Sequence, residues 1–132
     1  LWVVALATAG VTMNALRIGY DRAGAVERDG RFEPVGTINI IILTNARLTT
    51  AALAASLITA TEAKVVALQD LDVRSVYSPS VQASGTGTDQ VLVISGEGPA
   101  CTSVGGHTML GEIMARSVTA AVTASLEKTL SL

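Results

Sequence analysis

The sequence predicts an α/β fold in which a mixed β-sheet carries long helices packed on it as an α/β sandwich, in one domain spanning residues 1–132. Three observations predict it. Strand-like and helix-like stretches follow in the order strand–loop–strand–helix–strand–helix. The stretch "TINIIILT" (37–44) is apolar on both faces, as expected for a central strand covered on two sides. Hydrophobic residues make up 49% of the 132-residue chain, charged residues 15% and aromatics only 3%. The core must then be built from small and β-branched side chains, which lets helices lie close against a sheet, and the length suffices for one buried core.

Taking the elements in order, residues 1–8 of "LWVVALATAG" read as a buried strand, since a signal peptide would need a basic leading segment. "GVTMNALRIG" follows as a loop or short helical turn. The polar stretch 20–36 has Gly30 and Pro34 as turn markers. After the strand 37–44, Thr49 or Thr50 can cap a helix running to about Asp70. At 100° per residue from Leu53, Leu57 falls at about 40°, Leu68 at about 60°, Val65 at about 120° and Ile58 at about 140°, an apolar arc expected to face the core. Lys64 falls inside that arc at about 20° and Glu62 at its edge, near 180°. Each can orient a catalytic group, or Lys64 snorkels while Glu62 pairs with a neighbour. Residues 75–89 form a turn-rich connection, "QVLVIS" (90–95) a buried strand and 96–106 a loop. The last helix runs from Thr108 to about Leu130 with a stripe of Leu110, Ile113, Met114, Val118, Ala121, Val122 and Leu126.

Composition narrows the function classes. A net charge of −2 without a basic cluster and a near absence of aromatic side chains argue against nucleic acid as a partner. The longest interior apolar run, "INIIIL", is too short to span a bilayer, so no membrane partner is expected. The lone Cys101 excludes an internal disulfide and a cysteine-rich zinc site and fits a reducing compartment.

Four polar stretches could carry chemistry, three of them after strand ends, where open α/β sheets bind ligands. They are Thr12–Asn14, "TNARLTT" (44–50), "SGTGTDQ" (84–90) and "GGHTMLGE" (105–112). Asn45 and Arg47 stand between a strand and a helix start, where an anion can bind, though a turn residue and a solvated arginine explain them as well. "SGTGTD" lets backbone approach a ligand or makes a flexible connection, and Asp89 is its best base. His107, the sole histidine, precedes a helix start that favours neutral imidazole. It can serve as general base or metal ligand, but by position alone it reads as a turn residue beside a Thr108 cap. Glu112 and Arg116 make a helical i,i+4 pair.

The segments "ATAGVTMNALRIG" (7–19), "GTINIIILTNARLTTAALAASLITATEAKVVALQDLDVRS" (36–75), "ASGTGTDQVLVISG" (83–96) and "GGHTMLGEIMARSV" (105–118) together resemble the adenosylcobinamide amidohydrolase (CbiZ) family, over the C-terminal part of that family's length. The resemblance implies hydrolysis of the amide joining the aminopropanol arm to the corrin ring of adenosylcobinamide. The products are adenosylcobyric acid and aminopropanol or its phosphate, in cytoplasmic corrinoid salvage, with the corrinoid as substrate and no cofactor or metal. It makes His107, Asp89, Asn45 and Glu62 the expected catalytic residues, with His107 or Asp89 as base and Asn45 at the oxyanion. Asn14, Arg47, Thr49, Gly85, Thr86, Gly87, Gly105 and Gly106 are the expected substrate contacts. The partial coverage leaves room for an uncovered sheet face that would favour a homo-oligomer.

Overall fold

The computed structural model describes residues 1–22 and 36–132. The elements are β1 (Val3–Ala9), β2 (Ile38–Thr44), β3 (Arg47–Leu48), α1 (Thr50–Asp70), β4 (Gln90–Ile94), β5 (Ala100–Cys101) and α2 (Met109–Leu130). The expected turn markers Gly30 and Pro34 lie outside the described residues. The fold class is as the sequence predicts: β1 pairs antiparallel and β4 parallel with the central β2, making a mixed sheet of order β1-β2-β4. The two-residue ladder between β3 and β5 is additional and too short to leave a periodic signal.

The sheet buries one face. Ile38, Ile40 and Ile42 of β2 are essentially inaccessible, and Ala9, Ala7 and Ala5 lie opposite them on β1. These alanines leave room for α2, whose Met114, Val118, Val122 and Leu126 are fully buried against the sheet and α1. The other face departs from expectation. Ile41 is exposed, and so are Val4, Leu6, Leu92 and Ile94 around it, so among the described residues β2 is covered on one side only. Two-sided apolarity in a strand gives the demand for cover, not its supply.

Helix α1 begins where the hydroxyl allows it. Thr49 Oγ1 accepts from Ala52 N at 3.2 Å, satisfying a donor that the first turn cannot use. The helix ends as Leu71 N–H returns to Ala67 and Asp72 turns left-handed at φ 50°. Its buried face is not the predicted leucine arc. Ala52, Ser56, Ala60, Ala63 and Ala67 face inward, with Thr59, Lys64 and Leu68 flanking them, whereas Leu57 and Ile58 are exposed. Small side chains win because α1 packs closely on α2, and close approach of two helix axes selects alanine at the contact. By length and composition α1 could cross a bilayer, but it packs on α2 and β4 with 44% of its apolar window buried. Helix α2 follows its predicted stripe, capped by Thr108, whose Oγ1 accepts from Gly111 N at 3.0 Å and donates to Gly105 O at 2.9 Å.

Candidate active site

The direction of β1 decides which loops meet. Because β1 is antiparallel to β2, the chain leaving Ala9 arrives at the amino ends of β2 and β4, where residues 84–89 also lie. There Leu16 N donates to Gly85 O and Ser84 N to Leu16 O, both at 2.8 Å, and Ser84 Oγ accepts from Ile18 N at 2.9 Å. These bonds knit the two loops into one wall of a cavity of about 290 Å³, which Thr61, Lys64 and Val65 of α1 and Val91 of β4 close from the other sides.

At the floor of the cavity lies an ion pair. Lys64 Nζ donates to Asp89 Oδ2 at 2.5 Å, with the two side chains only 9% and 13% exposed. Asp89 Oδ1 accepts from Ile38 N at 3.2 Å and from Thr86 Oγ1 at 2.5 Å, while Thr86 N approaches both carboxylate oxygens at 3.3 Å. The carboxylate is thus saturated with hydrogen-bond donors. The ammonium is not saturated: of its three N–H donors, one goes to Asp89 and no other acceptor binds it among the described residues. Two glycines make the arrangement possible. A Cβ at Gly85 would stand 2.8 Å from Lys64 Nζ and run into Asp89 Oδ2. Gly87 turns at φ +82°, a conformation that side-chain-bearing residues rarely adopt. Asn14 is buried behind this site, donating from Nδ2 to Gly36 O, with its Oδ1 lacking a partner among the described residues.

The remaining predicted residues lie in two other places. Asn45, Arg47 and Thr49 sit at the carboxyl ends of β2 and β4, where polar groups are largely used internally. Asn45 Oδ1 accepts from Trp2 N at 2.9 Å, Gly98 N donates to Asn45 O at 2.8 Å, Thr49 caps α1 and Arg47 is exposed. Gly106 and Glu62 share a groove of about 500 Å³ between α1 and α2, lined also by Arg116 and Thr119. His107 follows Gly106 directly, exposed and without a hydrogen bond among the described residues, and the capping there is done by Thr108. His107 and Asp89 are not neighbours. Ser125, far down α2, accepts from Ala9 N, and Ala9 faces Ile38, whose N–H goes to Asp89. At 1.5 Å per residue His107 lies roughly 27 Å back along that helix. Glu112 and Arg116 pair at 2.9 Å on the exposed side of α2. Among the described residues no three His, Cys, Asp or Glu side chains converge to hold a metal ion.

The structure therefore gathers Gly85, Thr86, Gly87 and Asp89, with Asn14 behind them, and adds Lys64, Leu16, Ile18 and Ser84. Lys64 announced itself in the sequence as a charge within an apolar arc. Its partner could not be read, because Asp89 lies 25 residues away in another element.

The adenosylcobinamide amidohydrolase (CbiZ) family profile matches residues 1–132. The chain belongs to that family. An uncharacterized protein of Methanocaldococcus jannaschii is 44% identical over 138 residues, covering 96% of this chain and 54% of that protein. The chain thus spans about half the length of this relative. No solved structure matches it. The segments of this CbiZ-family chain that meet at the Lys64–Asp89 cavity come from three separate stretches of the sequence, residues 16–18, 61–65 and 84–91.

Proposed function

We propose that this chain hydrolyses the aminopropanol amide of adenosylcobinamide to adenosylcobyric acid, and that the reaction takes place over Lys64. The observation that carries the assignment of the site is the ammonium, two of whose donors are unused among the described residues, at the floor of a largely apolar cavity. An amide carbonyl entering the cavity gains charge on oxygen as water attacks, and a fixed ammonium in a partly dry site stabilises that charge. Lys64 delivers a proton to the departing amine nitrogen. Asp89, whose lone pairs are taken by Ile38, Thr86 and Lys64, holds the ammonium in place. The proton that the attacking water loses restores Lys64 after it has protonated the leaving nitrogen, so the pair ends the cycle as it began. A space of about 290 Å³ accommodates the arm that carries the amide and leaves the macrocycle outside, beside the exposed Ile18. Membership in the family supports the substrate.

The test is incubation with adenosylcobinamide and mass spectrometry for adenosylcobyric acid, with and without EDTA, using the parent chain, Lys64→Met and His107→Ala. Lys64→Met should lose about 100-fold or more in turnover while His107→Ala stays near the parent. The opposite result would move the chemistry to the groove that Glu62 and Gly106 share next to His107. Corrinoid binding without product would make the chain a binding module.

A further inference from the structure

The sheet face left uncovered among the described residues is ordered. Register pairs Leu6 with Ile41 and Ile41 with Leu92, so these three side chains form one row across the sheet. Val4, Leu43 and Ile94 form a second row beside it, and Trp2 continues the alternation of β1 beyond. Leu6 is 56% and Leu92 55% exposed, against full burial of the isoleucines on the opposite face. On the far side a third row, Thr8, Asn39 and Gln90, is polar, with Asn39 Nδ2 donating to Thr8 Oγ1. The face is thus an apolar band with a polar margin, and none of its three rows contains a lysine, an arginine or a carboxylate.

We infer that this face is the interface between two copies of the chain, packed sheet on sheet about a two-fold axis. The side chains named expose on the order of 600 Å² of apolar surface, the upper end of what monomers leave open. With the polar row as rim, the face approaches the roughly 800 Å² that each partner contributes to a stable interface. The pattern is also self-complementary. An axis lying in the interface between the two apolar rows sets the Leu6–Ile41–Leu92 row of one copy over the Val4–Leu43–Ile94 row of the other, at the usual sheet spacing of about 10 Å. A lipid surface is the poorer occupant, because the band lacks the basic side chains that interfacial elements use to meet headgroups.

The experiment is the mass of the whole chain in solution by light scattering and sedimentation, for the parent, for Leu6→Lys with Leu92→Lys, and for Gln90→Lys. Expected are two chains per particle for the parent and Gln90→Lys, and one chain with unchanged far-ultraviolet circular dichroism for the double variant. Trp2, the sole tryptophan, supplies a readout that needs no variant: its emission should shift to the red as dilution separates the copies. A parent of single-chain mass whose emission is indifferent to dilution overturns the inference. So does a double variant that folds and keeps the parent's mass. Capture of a single-chain parent by phosphatidylcholine vesicles also overturns it, in favour of a lipid surface. Corrinoid turnover does not enter any of these outcomes, so failure of the proposed activity leaves the inference standing.

Discussion

Removing either partner of the buried ion pair should cost very different amounts, because the two side chains are satisfied so unequally. Lys64→Met keeps most of the stem and removes the ammonium. Asp89 then still accepts from Ile38 N, Thr86 N and Thr86 Oγ1. The loss is one charge-assisted hydrogen bond beside a cavity that water can enter, about 1–3 kcal/mol. Asp89→Ala instead strands the ammonium without its acceptor and orphans the donors of Ile38 and Thr86. A stranded buried charge alone costs about 3–5 kcal/mol and the orphaned donors add to it, so the total should reach about 4 kcal/mol or more. That is a large share of the roughly 5–15 kcal/mol by which domains are stable. The double variant should be more stable than Asp89→Ala alone, because the stranded charge is gone. Urea denaturation followed by circular dichroism measures all three. If Lys64→Met is as damaging as Asp89→Ala, or the double variant is worse than both singles by simple addition, the account of the pair is wrong.

Gly85→Ala should destabilise by about 1–3 kcal/mol through overpacking on Lys64 and Asp89. Gly106→Ala, with nothing within 4 Å of the added carbon, should be neutral or slightly stabilising in the same denaturation assay. Leu68→Ala should cost about 2–5 kcal/mol and Ile58→Ala less than about 0.5 kcal/mol, and equal costs would mean that the leucine arc of α1 is covered in solution. The hydroxyl of Ser75 is the largest influence holding the Asp21 carboxyl below its ordinary value, with Ser78 and the Arg17 N–H behind it, and Gln82 and Arg74 do the same for Asp72. A carboxyl depressed in the folded state contributes stability above its unfolded pKa, and that contribution is lost as pH falls through the folded value. The destabilisation caused by Ser75→Ala should therefore be larger at pH 7 than at pH 3, and a pH-independent effect would remove Asp21 from the explanation.

Much of the frame was legible because it rests on local chemistry. Thr49 and Thr108 are where a helix needs a hydroxyl, and both serve as caps. The stripe of α2 was readable because its large apolar residues all belong to one contact. The face of α1 was not, since a run of alanines carries almost no hydrophobic asymmetry and only the neighbouring helix selects it. The cavity was half legible. Gly85, Thr86, Gly87 and Asp89 stood out as a glycine–hydroxyl turn ahead of a strand, but the rule that ligands gather at carboxyl ends of strands pointed towards Asn45 and His107. In a mixed sheet that rule divides. The carboxyl end of β1 and the amino ends of β2 and β4 are the same place, and which loops gather there depends on a strand direction that no residue announces.

The backbone N–H and C=O of one residue, at the end of β1, are both held by α2. Ser125 Oγ accepts from Ala9 N at 2.9 Å and Thr129 Oγ1 donates to Ala9 O at 2.8 Å, contacts that span 116 and 120 positions. Neither can form until α2 has been made as far as Ser125 and Thr129. During synthesis the end of β1 must wait for α2, with its free backbone groups open to wrong pairing. Contacts of such separation also slow folding, because the ordering of a long segment precedes any reward from closing it. The final turns of α2 thus act late, as a latch, and trimming them should lengthen the time that nascent β1 spends unlatched.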